Sequence, residues 1–296
     1  MTELRLPDGR ALGVERFGAK AGTPLLYFHG LPGSRLDFRS EAATFAAAGV
    51  ELIAVDRPGF GLSTPVRGRS LLDWPRDVEA LCNRLALERV VVLGYSSGGK
   101  YSLACAFALP ERVALAGVLA GTGPPEMPGF DEGMIGADRL ALTLALRARP
   151  LALAGWEVVR LLARHRPRFV MTSYARDLSG PDRERMDDPA VRAAVLGSLR
   201  EALRAGAAGT VDDYVIEGSA WGFDPADIRV PVRLWHGDRD GVVALEHSRW
   251  LAERIPDAAL NVIAGAGHLM FGRLGAVAAR LRLPAARPYV AVAGLR

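Results

Sequence analysis

The chain has 296 residues, of which 50% are hydrophobic and 24% are charged, and its formal net charge is +4. This composition excludes a disordered chain, a coiled coil and a collagen-like repeat, and the length suits about two domains or one large α/β domain with an insertion. Acidic and basic residues alternate along most of the chain, without a lysine- or arginine-rich block of the kind that marks a nucleic-acid arm, so no nucleic-acid partner is expected.

Strand and helix signals alternate along residues 1–122. Short apolar runs predict buried strands, and the segments between them predict helices that end at glycine or proline. The strands are predicted at residues 12–17, 25–29, 50–55, 90–93 and 113–119, and the helices at 35–48, from residue 70 onward and at 97–109. Apolar strands separated by helices indicate a mostly parallel sheet with helices on both faces.

The pattern changes in residues 123–227, where almost only helix signals occur. These predict helices at 134–148, 151–165, 188–205 and 211–220. Strands are predicted again at 230–236 and 259–263, with helices near 245–255 and after residue 268. We therefore predict an α/β core, 1–122 and 228–296, split by a helical insertion, 123–227. The tail at residues 284–296 receives no assignment.

Residues 90–99 read VVVLGYSSGG, a strand that runs into G-x-S-x-G and then a helix, as in a nucleophile elbow. Side chains larger than Gly94 and Gly98 would collide with the neighbouring strand and helix. Ser96 is the candidate nucleophile, and the amide of Ser97 is a candidate oxyanion donor. Ser97 is the competing nucleophile, but Tyr95 would then stand where a small residue is needed. The alternative is a Gly/Ser-rich turn without chemistry.

A serine hydroxyl needs a base to take its proton and an acid to orient that base. After an elbow of this kind, the expected order is serine, acid, histidine. His268 follows the last predicted strand and is the candidate base; a structural loop histidine is the alternative. Asp238 and Asp240 follow the preceding predicted strand and are the candidate acids.

The other histidines receive structural interpretations. We expect His29 and His236 to bond to nearby turns, and His165 and His247 to lie on exposed helix surfaces. No His, Cys, Asp or Glu cluster has metal-ligand spacing, so no metal is expected.

The location of the protein is predicted from its N-terminus, apolar runs and cysteines. The segment MTELRLPDGRALG lacks the basic and apolar regions of a secretory signal, and no charge-free apolar run reaches about 18 residues. Two cysteines, Cys82 and Cys105, make no disulfide framework and suit a reducing compartment. We expect a cytoplasmic protein that does not associate with membranes.

Five short segments, spread over nearly the whole chain, occur in a familiar order: HGLPG at 29–33, DRPGFGLS at 56–63, GYSSGG at 94–99, GDRD at 237–240 and GH at 267–268. Together they resemble the α/β-hydrolase fold superfamily, in its capped branch of small serine hydrolases. The resemblance implies an eight-stranded, mostly parallel sheet, with the helical insertion as a cap over the catalytic edge. It favours Asp240 over Asp238 as the acid, and it implies that Leu31 supplies the second oxyanion amide.

The resemblance also implies the reaction. A serine at the elbow excludes, by analogy, the branches that use an aspartate nucleophile. The remaining default is hydrolysis of a carboxylic ester, lactone or thioester through an acyl-enzyme, without a cofactor. The open alternatives are a C–C bond hydrolase, a peptidase, a cofactor-free haloperoxidase or lyase, a biosynthetic cyclase, or a ligand receptor with a silent triad.

The predicted cap contains side chains that could select a substrate. With Tyr95, the candidates for an apolar pocket are Trp156, Met171, Tyr174 and Trp221, joined by Phe169, Tyr214 and Phe223. The alternative is that they pack the core of the cap.

Six arginines occur between residues 147 and 168, and Glu157 is the only acid there. They indicate either capture of an anionic substrate or carrier, or a solvated helix face. The expected partner is a small-molecule substrate, and the protein is expected to be a monomer or homodimer.

Overall fold

A single eight-stranded sheet forms the centre of the computed structural model, which describes residues 2–281. Its strands are β1 (Thr2–Arg5), β2 (Ala11–Gly18), β3 (Thr23–Phe28), β4 (Val50–Val55), β5 (Val90–Tyr95), β6 (Val113–Leu119), β7 (Val232–Gly237) and β8 (Ala258–Ile263). They lie in the order β1-β2-β4-β3-β5-β6-β7-β8. β2 is antiparallel to β1 and β4, and the neighbours from β4 to β8 are parallel. The predicted fold class is therefore confirmed.

Alternate residues of the strands pack on opposite faces of the sheet. On one face, Leu26 and Val92 belong to a cluster with Trp74 of the helix Trp74–Arg84. On the other, Leu25 and Val91 pack with Phe45 of the helix Ala42–Ala47. The core helices are α1 (Ala42–Ala47), α2 (Trp74–Arg84), α3 (Gly98–Ala108), α10 (Leu245–Arg254) and α11 (Leu274–Arg280). Burial on both faces explains why the inner strands read as apolar runs without alternation. β1 was not predicted because its sequence, TELR, is mostly polar.

The predicted helix at 35–48 is wrong in its first part, since a 3-10 turn begins only at residue 39 and α1 only at residue 42. Asp37 accounts for the difference. Its carboxylate accepts hydrogen bonds of 3.2 Å from the backbone amides of Gly30 and Ser34, which shapes a loop instead of a helical turn. Arg35 lies in the same segment, and its buried guanidinium bonds to Asp56 at 2.5 Å.

Between β6 and β7, the described chain forms six α-helices, one 3-10 turn (Pro225–Asp227) and no strand. The α-helices are α4 (Gly136–Arg147), α5 (Arg149–His165), α6 (Pro167–Asp177), α7 (Gly180–Arg185), α8 (Pro189–Ala202) and α9 (Ala208–Glu217). The helices α4, α5, α8 and α9 correspond to predicted segments. α6 and α7 were not predicted. Each has a proline at its first or second helical position, where proline suits a helix start but weakens the helical signal in the sequence. Among residues 2–281, no helix has the length and apolar character required to cross a membrane. The tail at 284–296 lies outside the described residues.

The inserted helix α9 is tied to the core by a buried carboxylate. Asp213 accepts hydrogen bonds of 2.8 Å from Arg57 Nε and from the Tyr101 hydroxyl, and it also pairs with Arg69. Burial alone would raise the pKa of Asp213, but the charges of Arg57, Arg69 and Lys100 hold it well below its ordinary value. This carboxylate is therefore a charged anchor for α9.

The inserted helix α8 has an anchor of the same kind. Glu201 accepts a hydrogen bond of 2.8 Å from the buried guanidinium of Arg35. Ser198, one turn earlier, donates to Asp37 and lies 2.9 Å from the Ser34 hydroxyl. Both helices are thus fixed to loops that follow the core strands β3 and β4.

We expect Asp213→Ala to lower the free energy of unfolding by about 3–5 kcal/mol, because it leaves Arg57 and Arg69 buried without their counter-charge. Asp212→Ala is the matched control. Its carboxylate pairs with Arg149 at 2.6 Å in a partly exposed position, and its loss should cost no more than about 1 kcal/mol. Urea unfolding followed by circular dichroism measures both. Equal losses in the two variants would contradict the anchoring by Asp213.

Candidate active site

Ser96 lies in the turn between β5 and α3 and has a backbone φ of +53°, which is unusual for a residue other than glycine. Two glycines make the turn possible. A Cβ on Gly94 would collide with the carbonyl oxygen of Gly98, and a Cβ on Gly98 would collide with the carbonyl oxygen of Phe28. The amide of Ser96 donates to the Leu119 carbonyl at 2.8 Å, so the neighbouring strand β6 holds the turn in place.

A chain of hydrogen bonds starts at the Ser96 hydroxyl. His268 Nε2 lies 3.0 Å from Ser96 Oγ, and His268 Nδ1 lies 2.8 Å from Asp240 Oδ2. The three residues follow β5, β8 and β7, whose carboxyl ends share one edge of the sheet. The structure thus brings together a hydroxyl, an imidazole and a carboxylate in the geometry of nucleophilic catalysis.

Asp240, and not Asp238, reaches the histidine. The other oxygen of Asp240, Oδ1, accepts hydrogen bonds of 2.9 Å from the amides of Val242 and Val243, which fix the carboxylate. Asp238 instead accepts a hydrogen bond of 2.6 Å from the amide of Gly265 and so joins two neighbouring loops.

The charges of the histidine and the aspartate support each other. Burial alone would raise the pKa of Asp240, but His268 and His236 hold it well below its ordinary value. Burial likewise favours the neutral form of His268, but the charge and hydrogen bond of Asp240, helped by Asp182 and Asp138, raise the pKa of His268 above its ordinary 6.5. The site therefore stabilises an imidazolium, the form that a base takes after it accepts a proton.

Asp182, on the inserted helix α7, was missed by the sequence analysis. Its two oxygens accept hydrogen bonds of 2.8 Å from the amide of His268 and 2.7 Å from that of Leu269. A Cβ on Gly267 would collide with this carboxylate, which explains the glycine before the histidine. Asp182 and His268 are separated by 86 residues, and no local motif marks the contact.

The Ser97 side chain is held within a buried cluster. Its hydroxyl donates to Glu217 Oε2 at 2.6 Å and accepts from Lys100 Nζ at 2.5 Å, and Lys100 also pairs with Glu217. A hydroxyl held by a carboxylate and an ammonium group is not a free nucleophile, which separates Ser97 from Ser96. Leu31 and Ser97 both line the cavity at Ser96, where their amides were predicted to act.

A cavity of about 250 Å³ lies between the carboxyl edge of the sheet and the inserted helices. Its apolar wall contains the predicted Tyr95, Trp156, Met171 and Tyr174. Tyr95 also donates from its hydroxyl to the His268 carbonyl at 3.1 Å, so it supports the histidine loop.

Trp221, which was predicted to bind substrate, is not brought to this cavity. It is buried with the cluster of α2 and α3 on one face of the sheet, and its ring lies 5.6 Å from that of Phe223. Phe223 in turn stacks on Phe107 of α3 at 4.7 Å. Phe169 is 61% exposed, whereas Tyr214 does line the cavity. Aromatic character in the sequence does not distinguish residues that line the cavity from those that pack elsewhere or are exposed.

The structure does not bring the six arginines of residues 147–168 into the cavity either. Arg149 pairs with Asp212, Arg160 pairs with Glu157, and the others are exposed. The predicted capture of an anion therefore has no arginine at the cavity wall.

Two histidines bear on the earlier expectations. His247 was expected on an exposed helix surface, but it is buried, and its Nδ1 accepts a hydrogen bond of 2.9 Å from the amide of Gly123. His236 bonds to the Val243 carbonyl and the Ser248 hydroxyl, as a residue that supports a turn. Within residues 2–281, no group of three or more His, Cys, Asp or Glu residues is arranged to hold a metal ion.

An elbow serine at the carboxyl end of a parallel strand, bonded to a histidine and an aspartate from later strands, defines the class of α/β hydrolases. The chain matches the model of the alpha/beta hydrolase fold over residues 23–272 and belongs to that family.

Named relatives differ in chemistry. The chain is 27% identical to a putative non-heme chloroperoxidase from Synechocystis sp., over 84% of this chain and 85% of the relative. It is 29% identical to a pimeloyl-[acyl-carrier protein] methyl ester esterase from Aromatoleum aromaticum, over 78% and 86%. The solved structure of the enol-lactonase from Burkholderia xenovorans LB400 superposes with a TM-score of 0.69 at 17% identity, covering 94% of this chain and 96% of that one. The last likeness shows the fold alone.

We expect NMR titration of the imidazole of His268 to give a pKa above 6.5, because Asp240 favours its charged form. In Asp182→Asn this pKa should fall by roughly 0.5–1 unit, since a negative charge close to the imidazole is removed. Asp187→Asn is the control, because Asp187 is an exposed carboxylate on the same insertion. If the pKa of His268 stays constant or rises in Asp182→Asn, Asp182 does not stabilise the imidazolium.

Proposed function

We propose that this protein is a serine hydrolase that cleaves a carboxylic ester, lactone or thioester through an acyl-enzyme. The observation that carries the proposal is the continuous hydrogen-bonded chain of Ser96, His268 and Asp240, with separations of 3.0 and 2.8 Å. The apolar wall of the adjoining cavity supports an acyl group as the substrate moiety.

In the proposed first step, Ser96 Oγ attacks the carbonyl carbon while His268 Nε2 takes the hydroxyl proton. Asp240 stabilises the resulting imidazolium. The amides of Leu31 and Ser97 donate to the oxyanion, and loss of one such donor typically lowers turnover by about 10²–10³. His268 then returns the proton to the departing alcohol or thiol, which leaves the acyl group on Ser96.

In the second step, water replaces the alcohol beside His268. The imidazole takes a proton from water, the oxygen attacks the acyl carbon, and the tetrahedral intermediate releases the carboxylic acid as Ser96 recovers its proton. All of these steps use side chains and amides of this chain.

We further propose that residues 123–227 act as a cap that selects the substrate. Helices of this segment contribute Trp156, Met171, Tyr174 and Tyr214 to the cavity beside Ser96. The ion pairs of Asp213 and Glu201 with core arginines suit a cap in which α8 and α9 stay in place while substrate enters.

Peroxide-dependent chemistry is a second candidate, favoured by the similarity to the putative non-heme chloroperoxidase. Hydrogen peroxide would then replace water as the group that attacks the acyl-enzyme, and a peracid would leave in place of the acid. Both candidates share the first step. Comparing product acid and peracid, with and without added peroxide, separates them.

We expect Ser96→Ala to lower kcat/KM for a short p-nitrophenyl ester by at least about 10³-fold, because the acyl-enzyme cannot form. The same variant should not react with a fluorophosphonate probe, whereas the wild type should be labelled at Ser96, as mass spectrometry of the labelled peptide would show.

Ser97→Ala is the matched control, because it removes the neighbouring hydroxyl but retains the amide that is proposed to bind the oxyanion. It should keep its labelling at Ser96. Full esterase activity in Ser96→Ala would refute the proposed nucleophile, and a wild type that neither reacts with the probe nor hydrolyses esters would favour a receptor with a silent triad.

A further inference from the structure

The cavity beside Ser96 has an uneven charge distribution. Four carboxylate side chains are among its described lining residues, and no lysine or arginine is. The carboxylates are Asp37, Asp138, Asp177 and Glu217. Among these lining residues, the basic side chain is the imidazole of His268, which is already paired with Asp240. An anionic substrate would enter this cavity without a counter-charge.

Two of these carboxylates already have partners within the protein. Asp37 accepts hydrogen bonds from Tyr27, Ser198 and the amides of two loop residues. Glu217 is neutralised by Lys100 and accepts a hydrogen bond from Ser97. Asp37 is therefore engaged by hydrogen bonds and Glu217 by the ammonium group of Lys100.

Asp138, at the start of α4, is different. Its Oδ1 accepts a hydrogen bond of 2.8 Å from the Tyr214 hydroxyl, while its Oδ2 accepts none from the described residues, and no arginine or lysine among them pairs with it. Burial raises the pKa of this carboxyl, as expected for a carboxylate without a counter-charge. Asp177 also lines the cavity, where it is exposed and adds a second negative charge.

Aromatic rings stand next to this carboxylate. Tyr214 is bonded to it, and the ring of Trp156 stacks on that of Tyr214 with 5.9 Å between the ring centres. Burial and the charge of Asp138 both raise the pKa of Tyr174, a third aromatic residue of the wall. Asp138 therefore shares one cavity wall with Trp156, Tyr174 and Tyr214. A carboxylate together with aromatic rings is a chemical environment that binds an ammonium group, especially a quaternary one.

We propose that the cavity binds an ester whose acyl chain carries a cationic ammonium group, which Asp138 pairs with and Trp156, Tyr174 and Tyr214 surround. This inference rests on the proposed function, which supplies the ester group that reacts with Ser96. It adds that the far end of the acyl chain carries a positive charge. The site would discriminate against a carboxylate at the same position, since Asp138 and Asp177 repel it.

Binding to the Ser96→Ala variant tests the inference without requiring turnover. The probes are ethyl 5-(trimethylammonio)pentanoate and its neutral isostere ethyl 6,6-dimethylheptanoate, which differ in charge but hardly in shape. We expect calorimetry to give a dissociation constant about tenfold lower for the cation, because an ion pair in a mostly apolar cavity is stronger than one in open solvent. Equal affinities, or tighter binding of the neutral ester, would overturn the proposal.

The double variant Ser96→Ala/Asp138→Asn assigns the effect to one carboxylate. It should lose the roughly tenfold preference for the cation and bind the neutral ester as before, since asparagine retains the size and the acceptor for Tyr214. Ser96→Ala/Asp131→Asn is the matched control, because Asp131 is exposed on the same insertion and does not line the cavity. An undiminished preference after Asp138→Asn would also overturn the proposal.

Turnover of the same two esters by the wild type distinguishes a failure of this inference from a failure of the proposed function. If the cation binds tightly through Asp138 but is not hydrolysed, and Ser96 resists the fluorophosphonate probe, then the hydrolase proposal fails while the ammonium site stands. If the wild type hydrolyses the neutral ester and binding shows no preference for the cation, then the ammonium site fails and the hydrolase proposal stands.

Discussion

The close contact of the β5–α3 turn with β3 and β6 is the constraint on which the rest of the site depends. Ser96 keeps a left-handed backbone only because Gly94 and Gly98 let the turn, α3 and β3 approach more closely than any side chain would permit. The parallel neighbours of β5 hold this conformation from both sides. Because β5 to β8 are all parallel, their carboxyl ends lie at the same edge of the sheet. The strained serine therefore meets its histidine and aspartate there.

The inserted helices do more than cover this edge. Asp182 on α7 holds the amides of the histidine loop, and Glu217 on α9 holds the hydroxyl of Ser97. Asp213 secures α9 to two arginines of the core. Carboxylates from the insertion therefore hold groups on both sides of Ser96, namely the amide of His268 and the hydroxyl of Ser97.

Short-range patterns made the core and the candidate serine and histidine predictable. Apolar runs marked seven of the eight strands, and the glycines around Ser96 marked the elbow, because burial and backbone sterics act on neighbouring residues. The choice of Asp240 over Asp238 depended on resemblance. Asp182 and Asp138 could not be predicted, since their partners lie 86 and 76 residues away. Trp221 was misplaced because an aromatic residue packs equally well under the sheet or against a cavity.

The bond from Asp182 to the histidine loop has a consequence for how this chain can change during evolution. An inserted segment is often regarded as a module that can be exchanged to acquire a new specificity. Here, replacing residues 123–227 as a block would also remove a carboxylate that orients the backbone at His268. New specificities would therefore arise more readily by single substitutions at the cavity wall than by recombination. The insertion and the core are thus expected to evolve together.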